Sequence, residues 1–287
     1  MEIKLLKTWN INKLIPLLSS CGSIAMDYYN NPPVELKKDR SVVTAADKEI
    51  EQLLAQEFNR PEENVYLIGE ETILEHDADY FETALRETCW IVDPIDGTAP
   101  YTNHIDSAWG ISVAYMRNGI IAEGAFYFPA LNKLIITDGN AVWCCDSMVP
   151  GQVELPHLVP FEFKYRPLGS GGMVSVSQKM AKMGRLTFDD QVLAWSGCVS
   201  SMTYLMEGRF PAYLAMLKLW DIAAGLAIIG HGDYCCRTAA GRVLGVDVTD
   251  GTFNLDYNSE ECWCLSGHAV LASSEMVMDE LFNKIEI

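Results

Sequence analysis

Cys89-Trp90-Ile91-Val92-Asp93-Pro94-Ile95-Asp96-Gly97-Thr98 carries an apolar run straight into two carboxylates. Cys89 to Val92 reads as a buried strand ending at Asp93. Pro94 fixes its own φ and donates no N–H, so the chain turns there. Gly97 then permits a backbone angle that other residues avoid. Asp93 and Asp96 can converge after such a turn, with the Ile95 carbonyl between them. Hard oxygen donors of this kind suit magnesium, and carboxylates so close repel one another unless a cation lies among them. Taken alone, Asp before Pro and Asp before Gly are equally ordinary turn chemistry.

Two more acidic groups close apolar runs. Val65-Tyr66-Leu67-Ile68 reads as a buried strand leading into Gly69-Glu70-Glu71. A strand expected over residues 212–217 leads to Leu219-Trp220-Asp221, and a helix of small residues follows, Ile222-Ala223-Ala224-Gly225-Leu226-Ala227. Strand ends bring side chains out of the core onto a fixed edge, where sites are commonly built. Upstream, Thr44 is expected to cap a helix, with Asp47 closing a capping box and Ile50, Leu53, Leu54 and Phe58 as its buried stripe. An earlier helix over residues 12–30 spaces Leu14, Leu17, Leu18, Cys21, Ile24 and Ala25 along one face. Pro16 reads as part of its first turn, and Asn30-Asn31-Pro32-Pro33 as its stop.

Residues 110–116 and 122–128 read as strands joined by an Asn118-Gly119 turn. Between residues 145 and 168 prolines 150, 156, 160 and 167 accumulate, and a boundary is set there. Residues 1–150 form an N-terminal α+β half carrying most of the candidate ligands. Residues 151–287 form a C-terminal α/β half carrying Asp221. Beyond the boundary a strand through Val174 and Val176, a helix after Ser177, a helix over residues 199–206 and a final helix capped by Ser274 are expected.

Composition narrows the function classes. The 287 residues are 49% hydrophobic, enough to bury a core rather than remain disordered. A net charge of −18, from 39 acidic and 21 basic residues, repels nucleic-acid phosphates, so no nucleic-acid partner is expected. The same field repels a phosphorylated metabolite unless cations sit in the site. No apolar stretch approaches the roughly 20 residues of a membrane span. The start, with Lys4 and Lys7 but no apolar block, does not read as a secretory leader. A cytoplasmic protein without a membrane partner is expected. The nine cysteines, including Cys144-Cys145, Cys235-Cys236 and Cys262-Trp263-Cys264, lack zinc-type spacing and read as reduced, mostly buried thiols.

Any one acidic motif is explained by capping or turn chemistry. Their joint occurrence is not. Gly69-Glu70-Glu71, Asp93 to Thr98 and Trp220-Asp221-Ile222-Ala223-Ala224-Gly225 stand in the order that marks the inositol monophosphatase superfamily, which the chain resembles over nearly its whole length. Val43-Thr44-Ala45-Ala46-Asp47 is similar to a further element of that superfamily. The resemblance implies an α/β fold, an α-β-α-β-α sandwich with the metal site between its halves, and a lithium-sensitive, magnesium-dependent phosphatase acting as a homodimer. It implies two or three magnesium ions per site. Glu70, Asp93 and the Ile95 carbonyl hold the first, and Asp93, Asp96 and Asp221 the second. Glu70 also helps hold a weaker third, with Asp47 in its outer shell or on the attacking water. Thr98, with Glu70 or Asp47, orients and deprotonates that water. The N–H groups of Gly97 and Thr98 face the phosphate.

Two segments depart from the superfamily pattern. Residues 99–104, Ala-Pro-Tyr-Thr-Asn-His, replace a common Asn-Phe pair, and Pro100 is expected to stiffen them. Leu214 stands about where inositol monophosphatases carry an inositol-binding glutamate. Lys218 is a candidate contact to a second anionic group on the substrate, or a solvated lysine. The substrate is accordingly a sugar or polyol phosphate, or alternatively a bisphosphorylated compound such as fructose 1,6-bisphosphate or 3′-phosphoadenosine 5′-phosphate. A catalytically silent binding protein is a third reading, and the complete set of acids speaks against it.

Overall fold

The computed structural model describes residues 8–30, 33–36 and 42–286. Lys4 and Lys7, and Asn31-Pro32 of the expected helix stop, lie outside them. The chain opens with α1 (Ile11–Tyr29), β1 (Val34–Leu36), β2 (Val42–Thr44) and α2 (Ala45–Phe58). It continues through β3 (Val65–Gly69), α3 (Ala78–Arg86), β4 (Thr88–Asp96) and α4 (Thr98–Thr102). A meander follows, β5 (Gly110–Arg117), β6 (Ile120–Phe128), β7 (Lys133–Asp138) and β8 (Ala141–Cys145), with a short β9 (Val159–Pro160). Then come β10 (Met173–Val176), α5 (Gln178–Met183), β11 (Arg185–Leu186), β12 (Gln191–Ala194), α6 (Cys198–Met206) and β13 (Ala212–Ala215). The last elements are α7 (Leu219–Ile229), β14 (Cys235–Thr238), β15 (Ala269–Ala272), α8 (Glu275–Phe282) and β16 (Ile285–Glu286).

Two large sheets and three helical layers result, with β1-β2 and β11-β16 as separate two-stranded pairs. Strands β3 to β9 form a seven-stranded sheet in sequence order, antiparallel except for the parallel β3–β4 pair. The second sheet has the order β12-β10-β13-β15-β14. One apolar cluster joins α1 and α2 to the outer face of the first sheet through Leu14, Leu18, Ile50, Leu54, Trp90 and Tyr127. Another fills the space between the sheets with residues of α6 and α7, and a third packs α5 and α8 outside the second sheet. The layers therefore run α-β-α-β-α. Helices α6 and α7 make the middle layer, and α7 lies so close to β6 that a Cβ on Gly124 would fall 2.3 Å from the Ala224 carbonyl oxygen.

Several local expectations hold. Thr44 and Asp47 form the capping box of α2. Asn118 and Gly119 both take positive φ, 50° and 77°, as a tight hairpin turn requires. Ser177 and Ser274 cap α5 and α8. Others are corrected. Pro16 lies inside α1 rather than in its first turn, because the helix begins at Ile11. The Cys89 strand does not stop at Asp93; β4 runs on to Asp96. Strand β13 ends at Ala215, so Asp221 is not a strand-end residue and stands in the first turn of α7. All nine cysteines are free thiols.

Candidate active site

Side chains three residues apart on a regular strand point to opposite faces. Trp90 and Val92 face α1 and α2, whereas Cys89 and Ile91 face α6 and α7. Asp93 pairs with Ser112 but Asp96 with Gly110, so β4 carries one extra residue against β5. That bulge reverses the alternation. Ile95 now belongs to the α1/α2 side. Asp96 reaches the α6 side, where its Oδ2 accepts the N–H of Val199 at 2.7 Å. Asp93 and Asp96 thereby share one face, as the Pro94 turn was expected to achieve.

Asp221 completes the cluster from α7. Its Oδ2 accepts the Lys218 N–H at 2.7 Å, and the Ser112 hydroxyl donates to the Trp220 carbonyl at 3.4 Å, tying α7 to β5 beside Asp93. One carboxylate oxygen from each of Asp93, Asp96 and Asp221 lies within 4.8 Å of the others. Asp93 is 1% exposed, and its Oδ1 has no hydrogen-bond partner.

Such crowding shows in the acid–base properties. Burial pushes the Asp93 carboxyl well above the usual carboxylate range, and the charges of Glu70, Asp96 and Asp221 push it further. Burial likewise raises Asp96, against the lowering effect of the Val199 and Cys198 N–H groups, and raises Asp221, with Asp96 and Glu70 adding to it. A buried, unpartnered oxygen among converging carboxylates is unfavourable without a cation. All the donors are hard oxygens, so the residues present fit a magnesium-like ion.

The remaining candidates surround this cluster. Glu70 follows β3, partly exposed, its N–H donating to the Val92 carbonyl at 3.3 Å. Asp47 is buried on α2. Its Oδ2 accepts from the Thr44 N–H and hydroxyl at 2.8 and 2.5 Å, while Oδ1 has no partner. Burial lifts its carboxyl to about 7. Gly97 sits at φ 87°, and a Cβ there would meet the Ala108 carbonyl oxygen at 2.4 Å, so angle and space both call for glycine. The Thr98 hydroxyl donates to the Ile95 carbonyl at 3.2 Å. The Lys218 ammonium lies 5.1 Å from the Trp220 ring.

Residues 99–104 form α4 after Thr98 and its exit. Pro100 is buried in the first turn, and the Tyr101 hydroxyl donates to the Ala25 carbonyl at 2.6 Å. Leu214 is corrected as a marker of the substrate: in β13 it faces the α5 and α8 side of the second sheet with Val174, Val176 and Val270. The adjacent Tyr213, on the other face, lies close to the charges of Asp96 and Asp221. Two features escaped the sequence reading. One is the start of α6, which holds Asp96. The other is Glu51, one turn after Asp47, which accepts the N–H groups of Glu71 and Thr72. Its spacing from Asp47 on the buried stripe of α2 was the signal available.

The chain matches known proteins along almost its full length. It is 26% identical over 248 residues to the histidinol-phosphatase of Chlorobaculum parvum, covering 84% of this chain and 90% of that one. It is 27% identical over 224 residues to the fructose-1,6-bisphosphatase/inositol-1-monophosphatase of Thermotoga maritima, covering 75% and 79%. A crystal structure of an IMPase/NADP phosphatase complexed with Mg2+ and phosphate superposes with a TM-score of 0.67 at 20% identity, covering 95% of this chain and 94% of that one. The sequence model of the inositol monophosphatase family matches residues 11–276, and this chain belongs to that family.

Proposed function

We propose that the chain hydrolyses a small phosphorylated metabolite with two or three magnesium ions held by Glu70, Asp93, the Ile95 carbonyl, Asp96 and Asp221. Family membership makes it a phosphoric monoester hydrolase; the ion, its count and the residue roles are our reading. The observation that carries them is the unpartnered Asp93 Oδ1 where three carboxylates converge within 4.8 Å.

Magnesium held there would supply positive charge toward the phosphoryl oxygens and would make a nearby water more acidic. Thr98, with Glu70 or Asp47, orients the attacking water and takes its proton. The Gly97 and Thr98 N–H groups bind phosphate oxygens at the start of α4. Asp96, Asp221 and Lys218 contact the substrate on the leaving-group side. The same reading takes residues 1–150 and 151–287 as the two halves, supported by the first sheet drawing chiefly on one and the second wholly on the other. It also makes the protein a cytoplasmic homodimer, on the family resemblance. Among the described residues no helix is long and apolar enough to cross a membrane.

A substrate panel tests the proposal: inositol 1-phosphate, sugar monophosphates, histidinol phosphate, fructose 1,6-bisphosphate, 3′-phosphoadenosine 5′-phosphate and NADP. Phosphate release from at least one compound, lost with chelator and restored by magnesium, is expected. No magnesium-dependent release from any would sink it. The Thermotoga relative's name keeps the bisphosphorylated alternative in view, and the panel separates the two.

Lithium is expected to inhibit through the position formed by Asp93, Asp96 and Asp221. A small, hard, singly charged cation suits the same oxygens and brings half of magnesium's charge. Phosphate release is measured against lithium at several magnesium concentrations, with sodium as the control. A lithium curve overlaying the sodium curve removes this expectation.

A further inference from the structure

Glu51 is 0% exposed, and no cationic side chain pairs with it among the described residues. What it does accept is backbone. Its Oε2 takes the Glu71 N–H at 2.9 Å, and its Oε1 takes the Thr72 N–H at 2.7 Å. Both donors immediately follow Glu70. On the other side, the Glu70 N–H is held by the Val92 carbonyl in β4, the strand that carries Asp93. The turn bearing Glu70 is therefore fastened at three successive N–H groups, two of them to one buried carboxylate.

Gly69 belongs to the same arrangement. It needs no unusual φ, but a Cβ there would fall 2.3 Å from Glu51 Oε1 and 2.4 Å from its Cδ. The glycine before Glu70 is thus the space into which the Glu51 carboxylate fits. Burying a carboxylate is costly, and two charge-assisted backbone bonds offset that cost while fixing geometry. Helix α2 is itself anchored by the Thr44–Asp47 capping box, so the clamp has a rigid base.

We infer that Glu51 is a positioning residue that sets the Glu70 carboxylate for metal binding without touching metal or substrate. The inference rests on the reading of Glu70 as a magnesium ligand, and the experiment separates the two. Glu51→Gln keeps the shape, but an amide oxygen cannot replace both carboxylate acceptors, and its NH2 faces one of the donors. Residues that orient a ligand typically cost roughly 10–100-fold in metal affinity when altered. Glu51→Gln is expected to raise the half-saturating magnesium concentration by that factor, while turnover at saturating magnesium falls less. Calorimetric titration with magnesium alone should show the same shift without turnover. Gly69→Ala, which displaces the carboxylate from the other side, should reproduce it. Glu51→Asp, which keeps the charge with a shorter reach, carries the expectation if the glutamine variant does not fold. Adding Glu51→Gln to Glu70→Gln should change magnesium affinity little further, because both act through one group.

Wild-type magnesium affinity in the Glu51 variants, with Glu70→Gln clearly weakened, would overturn the positioning role and leave the site reading standing. Lowered melting temperature with unchanged magnesium affinity would overturn it too, since that is the signature of a merely structural residue. Wild-type affinity in Glu70→Gln would overturn the site reading and this inference together.

Discussion

Asp93→Asn is expected to lower phosphate release by about a thousandfold or more at saturating magnesium, while raising the melting temperature of the magnesium-free protein. The loss follows from its place in the proposed set, where it alone serves both main ions. Three orders of magnitude correspond to about 4 kcal/mol of transition-state stabilisation, within the several kcal/mol that metal-ion catalysis supplies. The stability gain follows from the same residue without metal. Asp93 is buried, has an unpartnered oxygen, and lies against the charges of Glu70, Asp96 and Asp221. A neutral amide removes that repulsion, and each kcal/mol recovered is worth roughly 2–4 °C in a chain of this size. Asp96→Asn should lose activity similarly but gain less stability, because Asp96 also accepts the Val199 N–H at the start of α6. Turnover of Asp93→Asn within tenfold of wild type at saturating magnesium would remove Asp93 from the ligand set.

The second large effect is a pH-dependent stability that magnesium reduces by binding the carboxylates of Asp93, Asp96 and Asp221. In chelator, the protein should become less stable as pH rises from about 4 to about 8. Burial lifts the folded-state pKa of Asp47 from 3.8 and of Glu51 from 4.5, each to about 7, and raises Asp93, Asp96 and Asp221 also. A carboxyl raised in the folded state binds its proton more tightly there than in the unfolded chain. Its contribution is therefore complete below the unfolded value and is lost as pH rises through the folded one. His76 and His268, lowered by burial, act in the opposite sense, but both are partly exposed and their effect is smaller. Magnesium binds the ionised carboxylates, so its stabilisation should grow with pH and reach roughly 10 °C near the alkaline end. Melting curves across this range, in chelator and in magnesium, give the result directly. A chelated protein whose melting temperature is flat or rises with pH would contradict it.

Much of the candidate site was legible because its signals are local. The Thr44–Asp47 box, the Asn118-Gly119 turn and the acids after β3 and in β4 each depend on a few adjacent residues. What stayed hidden depends on partners distant in sequence. The bulge in β4 exists only relative to the register of β5, and a turn at Pro94 was all that could be read. Asp221 reads in sequence as a strand-end residue because the step from Ala215 to Leu219 is too short to show periodicity. Pro16 reads as a first-turn residue although the helix starts earlier, at Ile11, since proline type alone does not fix its position in a helix. The place of Leu214 in the chain points to a substrate contact, but strand alternation turns it away from the acids. Glu51 carries no motif of its own; its partners are backbone atoms some twenty residues on.

The bulge between Asp93 and Asp96 also sets what kinds of genetic change the segment tolerates. Volume-conserving replacements at Trp90 or Val92 alter packing beneath α1 and α2 and leave the alternation intact. Insertion or deletion of one residue between Cys89 and Val92, with β4 and β5 keeping their pairing at Thr88 and Arg117, turns both carboxylates toward that apolar layer at once. The strand can drift in composition but not in length. Among diverging copies of this gene, variation across residues 88–96 should consist of substitutions, with insertions and deletions confined to the loops on either side.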